Sequence, residues 1–354
     1  MNGYRRDWVC SLSCEFNGAR RILPNNYRVH RTFSSIGIKA LPQDGTAICR
    51  IMIKIRDLLS LFTFVVSITG SIIYDGRVPY SMHAAALDTS TGPFLTAVKG
   101  QNESASYYTS FLGHSALPTP LWNDRHRTNE QVISIKIDNT SIFVPGGGPP
   151  QYGFRRTELI AQKNSSSTSL DAEMETGVSV FHFSIKADPA RPLNFSHEYQ
   201  IVFIEPSDGT HVFGIQLGSP FTNPTAQLPA KNAHSFKVLD HALNVLFTTP
   251  FVPDIWHNFA ITVDWENLTL LVAYSIEGLP LHAVTQTVEN PTVTAGGNWR
   301  LSLWGAESKP ILLALPLVNP KDLPVDQGDV VHHGIQEGTT EGLFYSGVFV
   351  EKSA

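Results

Sequence analysis

The sequence predicts an all-β protein: a β-jelly roll, that is, a two-sheet antiparallel sandwich with a concave groove on one face. Three observations carry this expectation. From residue 72 onward, apolar and polar residues alternate over short runs, and those runs are bounded by Gly, Pro, Asn and Asp. No stretch of the same region keeps the 3.6-residue spacing of a long amphipathic helix. No internal repeat, low-complexity tract or linker divides it, so 72–354 is expected to be one domain.

The strands can be taken in order. Gln131 to Val144 places Ile133, Ile135 and Ile137 on one face, opposite Val132, Ser134, Lys136 and Asp138. Val178 to Lys186 sets Phe181, Phe183 and Ile185 against Val180, His182 and Ser184. Glu198 to Ile204, Val212 to Leu217, Asn258 to Asp264, Leu268 to Tyr274, Trp299 to Trp304 and Leu343 to Val350 continue the pattern. Val144 to Tyr152 and Gly218 to Pro229, rich in Gly and Pro, are expected to be surface loops.

Charge and cysteine usage bound the function. Only 16% of residues are charged, too few for a disordered chain. The first 71 residues hold 10 Lys/Arg and 4 Asp/Glu, a net +6, whereas the 16 basic and 27 acidic residues that follow give −11. An acidic body lacks the clustered cations that phosphate contacts need, so no nucleic-acid partner is expected. Cys10, Cys14 and Cys49 all precede the body, which leaves it without disulfides, thiolate metal sites or a cysteine nucleophile.

Residues 52–71, MIKIRDLLSLFTFVVSITGS, have the build of a signal peptide. Lys54 and Arg56 supply the basic region, Leu58 to Ile68 the short apolar run, and Thr69, Gly70 and Ser71 the small residues of a cleavage site. Met52 is then the expected start, and 1–51 a gene-model extension or a disordered segment. Five Asn-x-Ser/Thr sequons, at Asn102, Asn139, Asn164, Asn194 and Asn267, agree with an extracellular glycoprotein. The expectation is a secreted monomer with no membrane attachment once the signal is removed.

Two carboxylates stand out. Side chains two apart on a strand share a face, so Arg156, Glu158 and Ile160 project together, away from Arg155, Thr157 and Leu159. In the strand from Glu198, regular alternation groups Glu198, Gln200 and Val202 opposite Tyr199, Ile201 and Phe203. Each strand thus offers one carboxylate beside polar neighbours, on a face suited to line a groove. Trp122, Tyr152, Trp256, Trp299, Trp304 and Tyr345 are aromatic residues on which a ligand ring could stack. His332 and His333 near Asp326 and Asp329 fit no zinc spacing, so no metal is expected. Gly146 to Pro150 lacks the Lys-Ser/Thr of a phosphate loop, and no Gly-x-Ser-x-Gly elbow occurs.

At these residues the chain resembles glycoside hydrolase family 131, a fungal β-glucanase family with a β-jelly-roll fold. The resemblance runs through Asp75-Gly76-Arg77, Arg155-Arg156-Thr157-Glu158-Leu159, Phe181-His182-Phe183-Ser184, Glu198-Tyr199-Gln200, Phe203-Ile204-Glu205, Trp256-His257-Asn258-Phe259 and Tyr345-Ser346-Gly347-Val348. Tyr199 stands where the family usually has His, and the stretch from Glu205 to Trp256 is longer than in typical members. The resemblance implies hydrolysis of a β-glucan, across β-1,3, β-1,6 and β-1,4 linkages, without a cofactor. It implies that Glu158 and Glu198 form the acid/base pair. Arg156, Gln200, Glu205, Trp256, His257, Asn258 and Tyr152 are the expected residues around the sugar. Arg156 beside Glu158 is expected to keep that carboxylate ionised, which hints at Glu158 as base and Glu198 as acid.

Overall fold

The computed structural model describes residues 70–122, 129–164, 168–206, 210–220, 229–291, 313–315, 330–333 and 338–353. Contacts divide the chain into Met1–Phe62 and Thr63–Ala354, and every described residue lies in the second unit. The expected extension and most of the signal-like segment therefore lie outside the described residues, as do Trp299 and Trp304.

Sixteen strands are described. The first five are β1 (Ser71–Asp75), β2 (Phe94–Leu95), β3 (Thr109–Phe111), β4 (Ile133–Ile137) and β5 (Thr157–Ala161). Next come β6 (Val178–Ala187), β7 (Glu198–Phe203), β8 (Phe213–Gly218), β9 (Ser235–Asp240), β10 (Val245–Pro250) and β11 (His257–Asp264). The last are β12 (Thr269–Ile276), β13 (His282–Ala283), β14 (Val288–Glu289), β15 (Leu313–Leu315) and β16 (Glu341–Lys352). No described helix is long and apolar enough to cross a membrane.

The strands form two layers. One is the sheet β13-β12-β11-β6-β16-β4-β3, with β1 also on β16 and β14 also on β12. The other combines β10-β9-β8-β7 with β15-β5-β2, and β15 runs alongside β7 to join them. All recorded pairings are antiparallel. The alternation expected of the first layer is realised: Phe181, Phe183 and Ile185 of β6 and Ile133, Ile135 and Ile137 of β4 lie in the core between the layers. Leu159, Tyr199, Ile215, Leu217, Phe236 and Val238 close on them from the second layer. Each such large side chain contributes roughly 1.5–3 kcal/mol through burial.

Local chemistry sets the strand ends. Asp138 stops β4: its Oδ1 accepts the Thr140 amide at 2.9 Å and the Thr140 hydroxyl at 2.5 Å, an Asx-type turn that ends the strand before Val144. Asp264 does the same between β11 and β12, accepting the amides of Glu266 and Asn267 at 3.0 and 2.9 Å. Gly218 ends β8 with φ +80°, and a Cβ there would run into the carbonyl of His197. Only glycine permits this approach, and Gly218 pairs with Glu198.

One expected face is corrected. The β7–β8 register slips between Gln200 and Val202, so Ile201 is the extra residue of a β-bulge. Val202 therefore pairs with Ile215 and joins Tyr199 in the core, while Phe203 pairs with Gly214 and turns to the outer face beside Ile160.

Candidate active site

The outer face of the second layer collects the polar residues. Glu158 projects from β5 on the side opposite Leu159, and Glu198 and Gln200 project from β7 opposite Tyr199. β15 separates the two strands, pairing with β5 on one side and flanking β7 on the other. Two strand spacings place the β5 and β7 backbones roughly 9–10 Å apart.

Glu158 is 2% exposed, and Arg156 grips it: Nε meets Oε1 at 2.7 Å and Nη2 meets the same oxygen at 2.6 Å. Glu158 Oε2 is buried and has no hydrogen-bond partner. Burial raises the pKa of Glu158 above its ordinary value, outweighing the charge and hydrogen bond of Arg156 that pull the other way. Arg156 still favours the ionised form, as expected, but burial is the larger influence on this carboxyl. Arg156 also reaches Gln151 Oε1 at 3.2 Å and stands 3.9 Å from Glu205, which brings Glu205 to the rim of the same site. Tyr152, next to Gln151, is 62% exposed, an aromatic face open to solvent.

Glu198 has different company. Its Oε1 accepts from Gln200 Nε2 at 2.9 Å and faces Gln216 Nε2 at 3.5 Å. Gln200, Gln216, Lys237 and Thr248 stand in register across β7, β8, β9 and β10, forming a polar row beside it. Lys237 donates to the Gly218 carbonyl at 2.8 Å; burial lowers its pKa and the charge of Glu198 opposes that shift. Past the bulge, His211 stacks on Phe203 with ring centroids 4.3 Å apart. Burial first, then the charge of Arg156, lower the pKa of His211 to about 4, so its ring is neutral above that pH. Lys237, Gln216, His211 and Phe203 were not singled out from the sequence. The first two become visible only once strand register is known, and Phe203 only once the bulge is.

Three expected contacts are placed elsewhere. Trp256 is 3% exposed and donates its indole N–H to Leu117 O at 3.3 Å. His257 is buried in the core against Phe236 and Phe251, with Nδ1 2.7 Å from the Tyr274 hydroxyl and Nε2 bonded to the Val252 backbone. Asn258 faces the far side of the first layer, where Oδ1 accepts from Thr119 and Ser184 and Nδ2 donates to Ser275 and Glu277 O. Its amide group has no capacity left for a sugar. All three are buried, with their polar groups bonded within the protein. Tyr345 is fully buried, and Trp122 packs edge-on against His182 and Phe349. Among the described residues, no cluster of three His, Cys, Asp or Glu could hold a metal ion. Asn102, Asn139, Asn164 and Asn267 are exposed, and Asn194 is half-buried.

Two buried carboxylates on one side of the second layer, Glu158 paired with Arg156 and Glu198 set in a polar row, are the equipment of a glycoside hydrolase. The chain belongs to glycoside hydrolase family 131: the description "Glycoside hydrolase 131 catalytic N-terminal domain" matches residues 72–354. Two solved structures share the fold. The catalytic domain of a GH131 β-glucanase from Podospora anserina superposes with a TM-score of 0.58 at 20% identity, covering 80% of this chain and 97% of that one. The catalytic domain of the family 131 protein from Coprinopsis cinerea gives 0.55 at 21% identity, covering 80% and 95%. No curated protein matches the chain.

Proposed function

We propose that the protein is a secreted β-glucan hydrolase that inverts configuration, with Glu158 as general acid and Glu198 as general base. The observation that carries this reading is that the two buried carboxylates share one side of the second layer with a single strand between them. An inverting enzyme needs a gap of roughly 6.5–9.5 Å between its carboxyl groups to admit water, against about 5–5.5 Å for retention. Two strand spacings suit the wider gap. Glu158 fits the acid: burial raises its pKa, Arg156 occupies Oε1, and Oε2 is left to carry the proton. Glu198 fits the base, since amide donors orient one of its oxygens.

The reaction balances simply. Glu158 gives its proton to the glycosidic oxygen as the C1–O bond breaks. Glu198 takes a proton from the water whose oxygen bonds to C1 from the opposite side. Exchange with solvent resets both groups. The row Gln200, Gln216 and Lys237 offers hydrogen bonds to hydroxyls of a neutral chain, and Tyr152 offers a ring face. β-1,3-, β-1,6- and β-1,4-glucans are the proposed substrates.

A polysaccharide lyase on a similar sandwich is the rival, with Tyr199 or a His as proton abstractor and Arg156 neutralising a uronic carboxylate. Tyr199 is fully buried on the core side of β7 and donates to Glu341 Oε2 at 2.7 Å, which disfavours that role. A glucan-binding protein without activity is the other alternative. Reducing-end release from β-1,3/1,6- and β-1,4-glucan by the parent, Glu158→Gln and Glu198→Gln forms decides among the three. Hydrolysis lost in both variants, with the anomer of the first product opposite to that of the substrate, supports the proposal. An unsaturated product supports the lyase, and binding without cleavage supports the third reading. Secretion is proposed from the 52–71 segment, and amino-terminal sequencing of the exported protein tests it.

A further inference from the structure

The Asp75-Gly76-Arg77 motif lies apart from the face that carries Glu158 and Glu198. Asp75 ends β1 on the face opposite Tyr74, whose ring is in the core, so it points away from the layer that holds Glu158 and Glu198. Arg77 grips Asp75 through Nε at 2.8 Å and Nη2 at 2.7 Å and lies over the Phe349 ring at 4.9 Å. Beside them, Glu130 is 2% exposed, and its Oε1 accepts from the Ser346 hydroxyl at 3.1 Å and the Gly347 amide at 2.5 Å. Its Oε2 is buried and has no partner. Asp75, Arg77, Pro79, Pro93, Asn129 and Glu130 line a cavity of about 540 Å³, within the size range of small-molecule sites.

We propose that this cavity is a second carbohydrate site, which takes one neutral glucosyl unit of a β-glucan apart from the hydrolytic groove. The inference rests on the β-glucanase reading for the identity of the sugar, and on the cavity alone for the existence of a site. Three features choose the ligand class. The Asp75–Arg77 pair is neutral overall, so the cavity holds one further carboxyl group and no excess of cations. A phosphate or uronic acid would face Asp75 and Glu130, and a metal ion would face the Arg77 guanidinium. A hydroxyl-rich neutral ring meets neither objection: it can donate to the carboxylates and accept from Arg77 and Asn129, while the two prolines offer apolar surface. Burial raises the pKa of Glu130 to about 7, so in mildly acidic solution its carboxyl can donate as well as accept. The cavity is well separated from the groove. The Pro93 carbonyl accepts from the Gln162 amide at 3.0 Å, and Gln162 lies four residues beyond Glu158, roughly 13 Å along the chain. Such a site would anchor a long glucan while another stretch of it is cleaved.

The test uses the full chain carrying Glu158→Gln, which prevents turnover, and follows amide NMR signals during titration with cellobiose and laminaribiose. Gly347 and Asn129 report on the cavity, and the Gln200 and Gln216 side chains on the groove. The expected result is saturable movement of the cavity signals, weakened at least tenfold by Arg77→Met and by Glu130→Gln, with groove signals unaffected by either change. Glu130→Gln keeps an acceptor for Gly347, and Arg77→Met leaves the Glu130–Gly347 hydrogen bond untouched, so loss of fold in one does not silence the other. Movement in the groove alone overturns the second site and leaves the hydrolase reading intact. Movement in the cavity alone sustains the second site and counts against the groove. Silence at both overturns the second site, and the reducing-end assay then judges the hydrolase reading independently. A stronger cavity response to glucosamine or glucuronic acid than to cellobiose overturns the neutral-sugar assignment.

Discussion

Replacing Arg156 with methionine tests the role of Glu158. The guanidinium places two nitrogens on one carboxylate oxygen, at 2.7 and 2.6 Å, and methionine keeps much of the side chain's reach without its charge. A hydrogen bond to a charged group contributes about 1.5–3 kcal/mol to the state it favours. At about 1.36 kcal/mol per pH unit, its loss raises the pH at which Glu158 gives up its proton by about one to two units. Burial already raises that value, so the change adds to a shift of the same sign. With Glu158 as general acid, the alkaline limb of the kcat/KM profile on soluble β-glucan moves up by that amount, because kcat/KM reports the free enzyme. Were Glu158 the base, the acidic limb would move up instead. A profile in which neither limb moves refutes the claim that Arg156 governs this carboxylate. Stability follows the same sign. Because the folded pKa lies above the ordinary 4.5, the folded state binds more protons in that window, and stability present at low pH is lost as pH rises toward the folded pKa. The variant widens the window upward. Its Tm should match the parent most closely near pH 4 and fall behind as pH rises.

Much of the fold was legible in the sequence, because alternation reports burial directly. β4, β6, β11 and β16 are framed by turn-forming residues, and their apolar positions lie in the core as expected. β9 and β10 escaped notice. Val245–Pro250 is half exposed and ends in proline, so it lacks the apolar face that marks a strand. Of the site, Glu158 and Glu198 could be picked out because each sits beside polar residues in an otherwise apolar strand. The Trp256-His257-Asn258 run misled for a physical reason. Aromatic and amide groups that clamp a sheet use the same chemistry as those that hold a sugar, and only burial and saturated hydrogen bonds separate the two. The bulge at Ile201 was also hidden, since an extra residue leaves no mark in composition.

The remaining predictions follow from those distinctions. Asn258→Ala strips two buried hydroxyls of their acceptor, which should cost on the order of 3 kcal/mol in urea unfolding and leave kcat/KM of the folded protein unchanged; a tenfold fall in kcat/KM would return Asn258 to the site. Glu175 is buried, and burial alone raises its pKa from 4.5 to about 7. It should therefore remove on the order of 3 kcal/mol of stability as pH rises from 4.5 to 7, and Glu175→Gln should flatten that part of the Tm–pH curve. Gly347 has φ +62°, and a Cβ would meet Trp122 at 2.5 Å, so Gly347→Ala should lower Tm by several degrees. Val202→Thr separates the bulged strand from a regular one. Regular alternation puts Val202 in the groove, where a hydroxyl meets water and sugar at little cost. The bulge puts it in the core opposite Ile215, where a threonine hydroxyl is deprived of water. Burying such a group costs about 1–3 kcal/mol, so the bulged strand requires a loss of that size with KM unchanged. A loss below about 0.5 kcal/mol, the range usual for surface substitutions, together with an altered KM, would mean that Val202 faces the sugar and that the register of β7 is wrong.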